Sequence, residues 1–436
     1  GDWSSDVCSS DLLRHTLMNQ PARAPFAPLR SLDDAMAELL AHAQPLLPAE
    51  PVSTFDADGR VLAQDVVSAL QVPAVDNSSM DGYAVRCADV ATAGVVLPVS
   101  QRIAAGMDGA PLLPGTAARI FTGAPVPAGA DAIVMQEDCV AVDGGAVRIN
   151  AVPPTGQWIR RAGEDVRLGA SVLQAGMRLT PGALGLAASV GMHQLQVARC
   201  PRVALFSTGD ELVMPGDVAP QDMRPGAIYN SNRFVLRALL LRLGCEVTDF
   251  GIVPDKRDAT ITALRDASQQ HDLILTRGGV SVGEEDHIKP AVESLGELNL
   301  WQLAIKPGKP FAYGKVNRQG QGHACHFMGL PGNPVSSFVT FLLLVRPFVL
   351  ALQGVTLTEV KRTDMTAHFD WPRADKRREF LRVKRNAQGG LYLFPNQSSG
   401  VLSSAVWGDG VVDNPAGQTI SKGDTVRFIS FAEWLA

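Results

Sequence analysis

The chain has 436 residues, 46% hydrophobic and 19% charged, so it can build sizeable cores and does not have the composition of a disordered protein. At about 100–200 residues per domain, the length points to two to four domains. The 39 basic and 44 acidic residues leave a net charge of −5, which argues against a general nucleic-acid binder and leaves room for a local anion site. Six scattered cysteines with no C-x-x-C spacing read as the reduced thiols of a cytosolic protein.

Gly1–Leu12 is Ser/Asp-rich, aperiodic and similar to translated adapter sequence. Residues 1–28 are therefore set aside as a non-native or disordered N-terminus, with Met18 as a sensible start. Ser31 then caps a helix whose apolar face is Leu32, Ala35, Met36, Leu39 and Leu40; Pro45 and Pro48 end it. Residues from about 66 to 169 are rich in Gly, Pro, Val and Ala, with short alternating runs, and read as a β-rich unit. A second helix follows Thr180-Pro181 and stops near Gly191.

From Arg202 strands and helices alternate. Arg202–Ser207 reads as a buried strand, and Asn230 or Ser231 caps a helix ended by Gly244. Cys245–Val253 is a strand, Ala259–Gln270 a helix, Leu273–Thr276 a strand and His287–Leu295 a helix. This order predicts a mainly parallel, doubly wound sheet, which binds ligands at the carboxyl ends of its strands. The apolar run Phe338 to Leu352 contains Arg346-Pro347 and falls short of the about 20 residues a membrane span needs, so it reads as a buried core helix. The richest metal-like cluster, His323-Ala324-Cys325-His326, lies in a strand-like stretch where adjacent side chains face opposite ways. After about Gly354, Phe380–Lys384, Gly390–Phe394 and Asp424–Ile429 read as strands of a small all-β domain.

Four loops carry candidate chemistry. In Arg277–Asp286, Gly278, Gly279 and Gly283 let the backbone approach a phosphate, and the following acidic triplet suits a cation bridging carboxylate and phosphate. Lys306-Pro307-Gly308-Lys309-Pro310 holds two cations in a stiff frame suited to an oxyanion. Leu330–Ser337 brings Pro331 and Pro334 to a helix start carrying partial positive charge. Ser207–Leu212 offers Asp210 and Glu211 at a strand end. Each reads equally as an ordinary turn or cap when taken alone; together they describe a pocket for a phosphorylated ligand plus a cation. Three further polar stretches, Pro73–Ala84, Arg119–Asp131 and Gly163–Asp165, read as loops.

These motifs, in this order from about residue 29 to the C-terminus, resemble the molybdopterin molybdenumtransferase family, which includes the E domain of gephyrin. The resemblance implies a multidomain α/β and β protein. A helical linker domain is split across 29–66 and 170–199, and a β-rich domain is inserted at 67–169. A central doubly wound α/β molybdopterin-binding domain spans 200–353, and a β-barrel-like domain spans 354–436. It also implies a cytoplasmic homodimer, elongated, with a site between the α/β domain of one subunit and the inserted domain of the other. The implied reaction takes adenylylated molybdopterin and molybdate, uses Mg2+, and releases AMP with molybdenum cofactor. No nucleic-acid or membrane partner is implied, and a transient contact with molybdopterin adenylyltransferase is.

By the same resemblance Asp81, Glu211, Asp286 and Lys306 are the catalytic set, with Glu211 and Asp286 on the metal. Thr122, Asp165, Asp255, Gly278, Gly279, Ser281, Gly283, Lys309, Pro331, Pro334, Arg382 and Ser398 bind substrate. Two rival readings are an adenylyltransferase sharing the α/β domain and a non-enzymatic scaffold of the gephyrin kind. The extra domains and the Asp76–Ala84 motif argue against the first, and the lack of partner loops against the second.

Overall fold

The computed structural model describes residues 28–254, 256–278, 287–320 and 322–435. The expectations for Gly1–Leu12, Met18, Asp255, Gly279, Ser281, Gly283 and Asp286 lie outside the described residues. The chain forms two compact units. One comprises residues up to Ala43, Pro201–Val349 and Glu359–Ala436; the other comprises Gln44–Cys200 and Leu350–Thr358.

The first helix is Leu32–Ala41. Ser31 Oγ accepts from the Asp34 amide at 3.0 Å, and Leu32, Ala35 and Leu39 are buried, as the spacing predicts. Arg30 donates its amide to the Gln302 carbonyl and lays its guanidinium over Trp301 at 4.7 Å, so this helix belongs with the α/β unit. Residues from Gln44 onward fold in the second unit.

In the second unit, Thr180 caps the helix Pro181–Ser189, with Pro181 at the first helical position, where its missing N–H costs nothing. Ala183 and Ala187 of that helix share a core with Leu62, Val166 and Leu195. The β-rich stretch forms a six-stranded sheet in the order 132–135, 82–85, 117–120, 95–103, 146–149, 139–142.

The α/β unit is built on a second six-stranded sheet, ordered 246–253, 202–208, 273–277, 325–330, 310–316, 296–302. The first four strands are parallel, and 310–316 and 296–302 add an antiparallel pair at one edge. Every residue of Leu273–Arg277 is buried, the continuous apolar reading of a strand covered on both faces. Register aligns Ser207 with Arg277 and Arg277 with Leu330, so three of the candidate loops leave one edge side by side. The antiparallel strand pairs Ala312 with Gly329, which brings its start at Pro310 to the same edge.

The helix Pro334–Leu352 is 19 residues long, with a π-type turn at Phe341–Val345. It is long and apolar enough to cross a membrane but lies buried in the fold, as its apolar composition on all sides requires. In the C-terminal region, strands 378–385, 390–393, 363–367, 425–430 and 410–414 pair in that order. The last strand pairs back onto the first and closes a five-stranded barrel, which removes its free edges. The short strand Ile305–Lys306 attaches in parallel to Arg378–Glu379.

Candidate functional site

At the carboxyl edge of the α/β sheet the loops are tied together by a side chain that the sequence reading passed over. Arg277, the last residue of its strand, is buried. Its Nη1 lies 3.2 Å from Glu211 Oε1, and its Nε and Nη2 donate to the Gly332 carbonyl at 3.3 and 3.2 Å. Asn232, buried in the first turn of the helix Ser231–Arg242, donates to the same carbonyl at 2.9 Å. The Glu211 loop and the Pro331–Pro334 loop are therefore held by one guanidinium. Gly278 follows with φ +93°, a left-handed conformation costly for other residues, and a Cβ there would lie 3.1 Å from Thr208 Oγ1. Its amide donates to the Leu330 carbonyl. Gly278, Glu211, Pro331 and Pro334 thus come together as the motifs predict.

The Lys306–Pro310 loop packs on the start of the long helix. Gly308 has φ +109°, and a Cβ there would lie 2.3 Å from Thr340 Oγ1. Lys309 follows in this loop and is half-buried. Lys306 is placed differently from the expectation of a cation held for an oxyanion. Its Nζ lies 3.0 Å from Glu379 Oε1 and 3.2 Å from Asp375 Oδ2. Burial acts to lower its pKa, but the hydrogen bonds and the negative charges of Glu379 and Asp375 together outweigh burial and raise it. Glu379 is almost fully buried and needs that cation, because an unpaired carboxylate is costly inside a fold.

The barrel contributes the segment Asn396–Gly400. The Ser399 carbonyl accepts from the Val335 amide at 2.9 Å, which sets Ser398 beside the Pro334 turn. Ser398 itself is exposed, as a ligand-binding residue requires. Arg382 corrects the sequence reading. It is 1% exposed and cannot touch a ligand in this structure. It donates to Ser404 Oγ, to the Phe380 carbonyl and to the Ser398 carbonyl, and its burial lowers its pKa to about 10. Its place is behind the Ser398 segment.

The second unit gathers the three polar stretches along one edge of its own. Gly123 donates its amide to Ser78, Ser79 to Trp158, and Gly163 to Pro73. Asp81 Oδ1 accepts from the Thr122 amide at 2.7 Å and from the Thr122 hydroxyl at 2.8 Å. The amide first, and then the hydroxyl, hold the Asp81 carboxyl below the usual carboxylate range. Asp76 accepts from the Ala162 amide and from Arg161, and the amide does most to lower its pKa. Asp165 is exposed nearby, its amide on the Val72 carbonyl. Asp81 and Thr122 are therefore in direct contact, and Asp165 is exposed on the neighbouring stretch.

Among the described residues no group of three metal-binding side chains occurs. Mg2+ takes one or two protein carboxylates and completes its shell with water and substrate phosphates. Glu211, with its side chain 43% exposed at the carboxyl edge of the sheet, fits that donor set as one ligand.

Comparison with known proteins accords with this geometry. Residues 30–191 match the model of the MoeA N-terminal region (domain I and II), 204–351 the probable molybdopterin binding domain, and 364–431 the MoeA C-terminal region (domain IV). A molybdopterin molybdenumtransferase of Haemophilus influenzae is 42% identical over 74% of this chain and 78% of its own length. One of Nostoc is 34% identical over 92% of this chain and 94% of its own. The chain belongs to the molybdopterin molybdenumtransferase family. Among solved structures, a molybdopterin biosynthesis MoeA protein of Pyrococcus horikoshii aligns with TM-score 0.79 and 25% identity, covering 93% of this chain and 100% of its own. The Cys325 and His326 of the metal-like cluster lie on the strand 325–330, and they pack into different surroundings. Cys325 joins the core with Phe206 and Phe327, and His326 meets Tyr313 and Phe348.

Sequence reasoning missed Arg277 and Asn232. One signal was available: a lone arginine ending a fully apolar strand is rarely buried without a dedicated acceptor.

Proposed function

We propose that this member of the family inserts molybdate into adenylylated molybdopterin, with Mg2+, and releases AMP and molybdenum cofactor. The observation that carries the reading is the edge at Ser207, Arg277 and Leu330, where glycine, lysine and proline loops converge in a chain whose residues 30–191, 204–351 and 364–431 match the family. Every reactant is an anion, so fixed amides, cations and a divalent metal must offset repulsion as the phosphoanhydride bond opens. Glu211, with Asp286 from the sequence motif, would hold the metal, which supplies charge neutralisation at the phosphates. Lys309, Pro331, Pro334 and Ser398 line the anion side, and Asp81, Thr122 and Asp165 supply the acidic edge. By the family resemblance the site is shared between the two subunits of a homodimer. The same reading places the protein in the cytoplasm, in transient contact with the adenylyltransferase that makes its substrate.

The test is an assay of purified protein with adenylylated pterin, molybdate and Mg2+. AMP and a cofactor able to activate a molybdenum-free apoenzyme should appear together. Adenylylation of free molybdopterin by ATP, with no metal insertion, would replace this reading by the adenylyltransferase one.

A further inference from the structure

Three N–H groups converge on one carbonyl oxygen at this edge. Arg277 Nε and Nη2 and Asn232 Nδ2 all donate to Gly332 O, at 3.3, 3.2 and 2.9 Å. The donors come from two elements, the end of strand 273–277 and the first turn of helix 231–242. Both residues are buried. Most backbone carbonyls in loops are satisfied by one partner or by water, so this concentration fixes one peptide plane.

The bond from Gly332 to Asn333 is trans, and in a trans peptide the C=O and N–H point in opposite directions. With Gly332 O drawn inward to Arg277 and Asn232, the Asn333 N–H faces away from them. Asn333 is exposed, and its amide has no acceptor among the described residues. Hydrogen bonds accepted by a carbonyl polarise its peptide and strengthen donation by the paired N–H. Ser337 Oγ, in the first turn that follows, is buried without a partner among the described residues. Glu211 occupies the remaining arm of Arg277, which keeps the guanidinium aimed and its charge balanced.

We propose that Arg277 and Asn232 are positioning residues that lock the Gly332–Asn333 peptide so that the Asn333 N–H serves as a fixed donor to an anionic group of the substrate. The inference rests on the reading of this edge as the substrate site. The anion is a tetrahedral oxyanion, either a phosphate of the nucleotide or molybdate.

Calorimetric titration of the full chain with AMP and, separately, with molybdate tests this. Asn232→Leu removes one donor, and Arg277→Gln removes the charged one; each should weaken binding of the anion served about 3- to 10-fold, the worth of one oriented hydrogen bond. Asn232→Asp places a carboxylate against the carbonyl and should weaken binding more than Asn232→Leu does, an order that simple loss of packing does not produce. Weakening of AMP alone assigns the amide to the phosphate, and weakening of molybdate alone assigns it to the metal oxyanion. If Arg277→Gln fails to fold, the two Asn232 variants decide. Unchanged affinity for both ligands in variants whose Tm stays within about 2 °C of the parent overturns the inference and leaves the site reading intact. Equal loss in Asn232→Leu and Asn232→Asp overturns it as well. A parent chain that binds neither ligand overturns the site reading, and this inference with it.

Discussion

Arg277 and Glu211 meet at 3.2 Å although 66 residues separate them, and the pair joins the ends of two adjacent parallel strands. Arg277 is nearly enclosed while the Glu211 side chain is 43% exposed, so the two partners do not have equal stakes. Loss of the acid leaves a buried guanidinium without its counter-charge, a situation that costs more than the pair itself gives.

Glu211→Gln keeps a hydrogen-bond acceptor for Arg277 but removes the charge offered to a divalent cation. The expected outcome is a protein that still folds, with a lowered Tm because the buried Arg277 loses its counter-charge, and metal insertion reduced about 10²-fold or more. The apparent Mg2+ requirement should rise. Rates measured across a magnesium series check this. Parent activity at low magnesium would take Glu211 out of the metal site.

Lys306 is expected to act on stability first. It neutralises Glu379, which is buried and also accepts from Trp371 Nε1 at 2.8 Å. Lys306→Met should destabilise the C-terminal barrel by about 1–3 kcal/mol, because it leaves a carboxylate buried with neutral donors only. Denaturant unfolding measures this. The double variant Lys306→Met with Glu379→Gln should recover part of the loss. If AMP and molybdate affinities fall in Lys306→Met while stability is unchanged, the lysine serves the substrate instead.

Much of the architecture was legible in the sequence because it rests on local signals. Ser31, Thr180 and Asn230 cap helices where their side chains predict, and the apolar run 273–277 forms a fully buried strand. The glycine, lysine and proline motifs of the α/β unit reach one sheet edge, as alternating strands and helices require. What was not legible concerns charges whose partners are far along the chain. Nothing local to Lys306 announces Glu379, 73 residues later, and nothing local to Arg382 shows that barrel closure will bury it. Arg382 stands among Arg377, Arg378, Lys384 and Arg385, yet it faces the interior and donates to three oxygens. Arg277 was passed over for the same reason: its acceptors come from two other loops.

His326 should make the protein acid-sensitive. Burial, helped by the charge of Lys315 and by nearby His42 and Arg318, and opposed by Asp272, lowers its pKa from 6.5 to about 4. Between pH 6.5 and 4 the unfolded chain binds a proton at this residue and the folded chain does not. Stability therefore falls as pH falls through that window, by up to about 3 kcal/mol, and is fully present above it. Tm measured from pH 7 to 4 should drop less steeply in His326→Gln than in the parent. Parallel curves would show that other groups govern the acid limb.

The shared-site arrangement makes a prediction about mixtures. Asp81, held ionised by Thr122, belongs to one compact unit, and Glu211 belongs to the other. If one subunit supplies Asp81 and its partner supplies Glu211 to the same site, then Asp81→Asn and Glu211→Gln proteins are each inactive alone. In a mixed dimer one site carries both substitutions and the other carries neither. Random exchange makes about half of the dimers mixed, and each has one intact site of two, so activity should recover to about a quarter of the parent under closed two-fold symmetry. The conservative substitutions keep both folds, and mass spectrometry reports the exchange. Verified mixed dimers with no recovered activity would mean that Asp81 acts within its own chain or only in its own fold, because a site made from both subunits has no other way to stay silent.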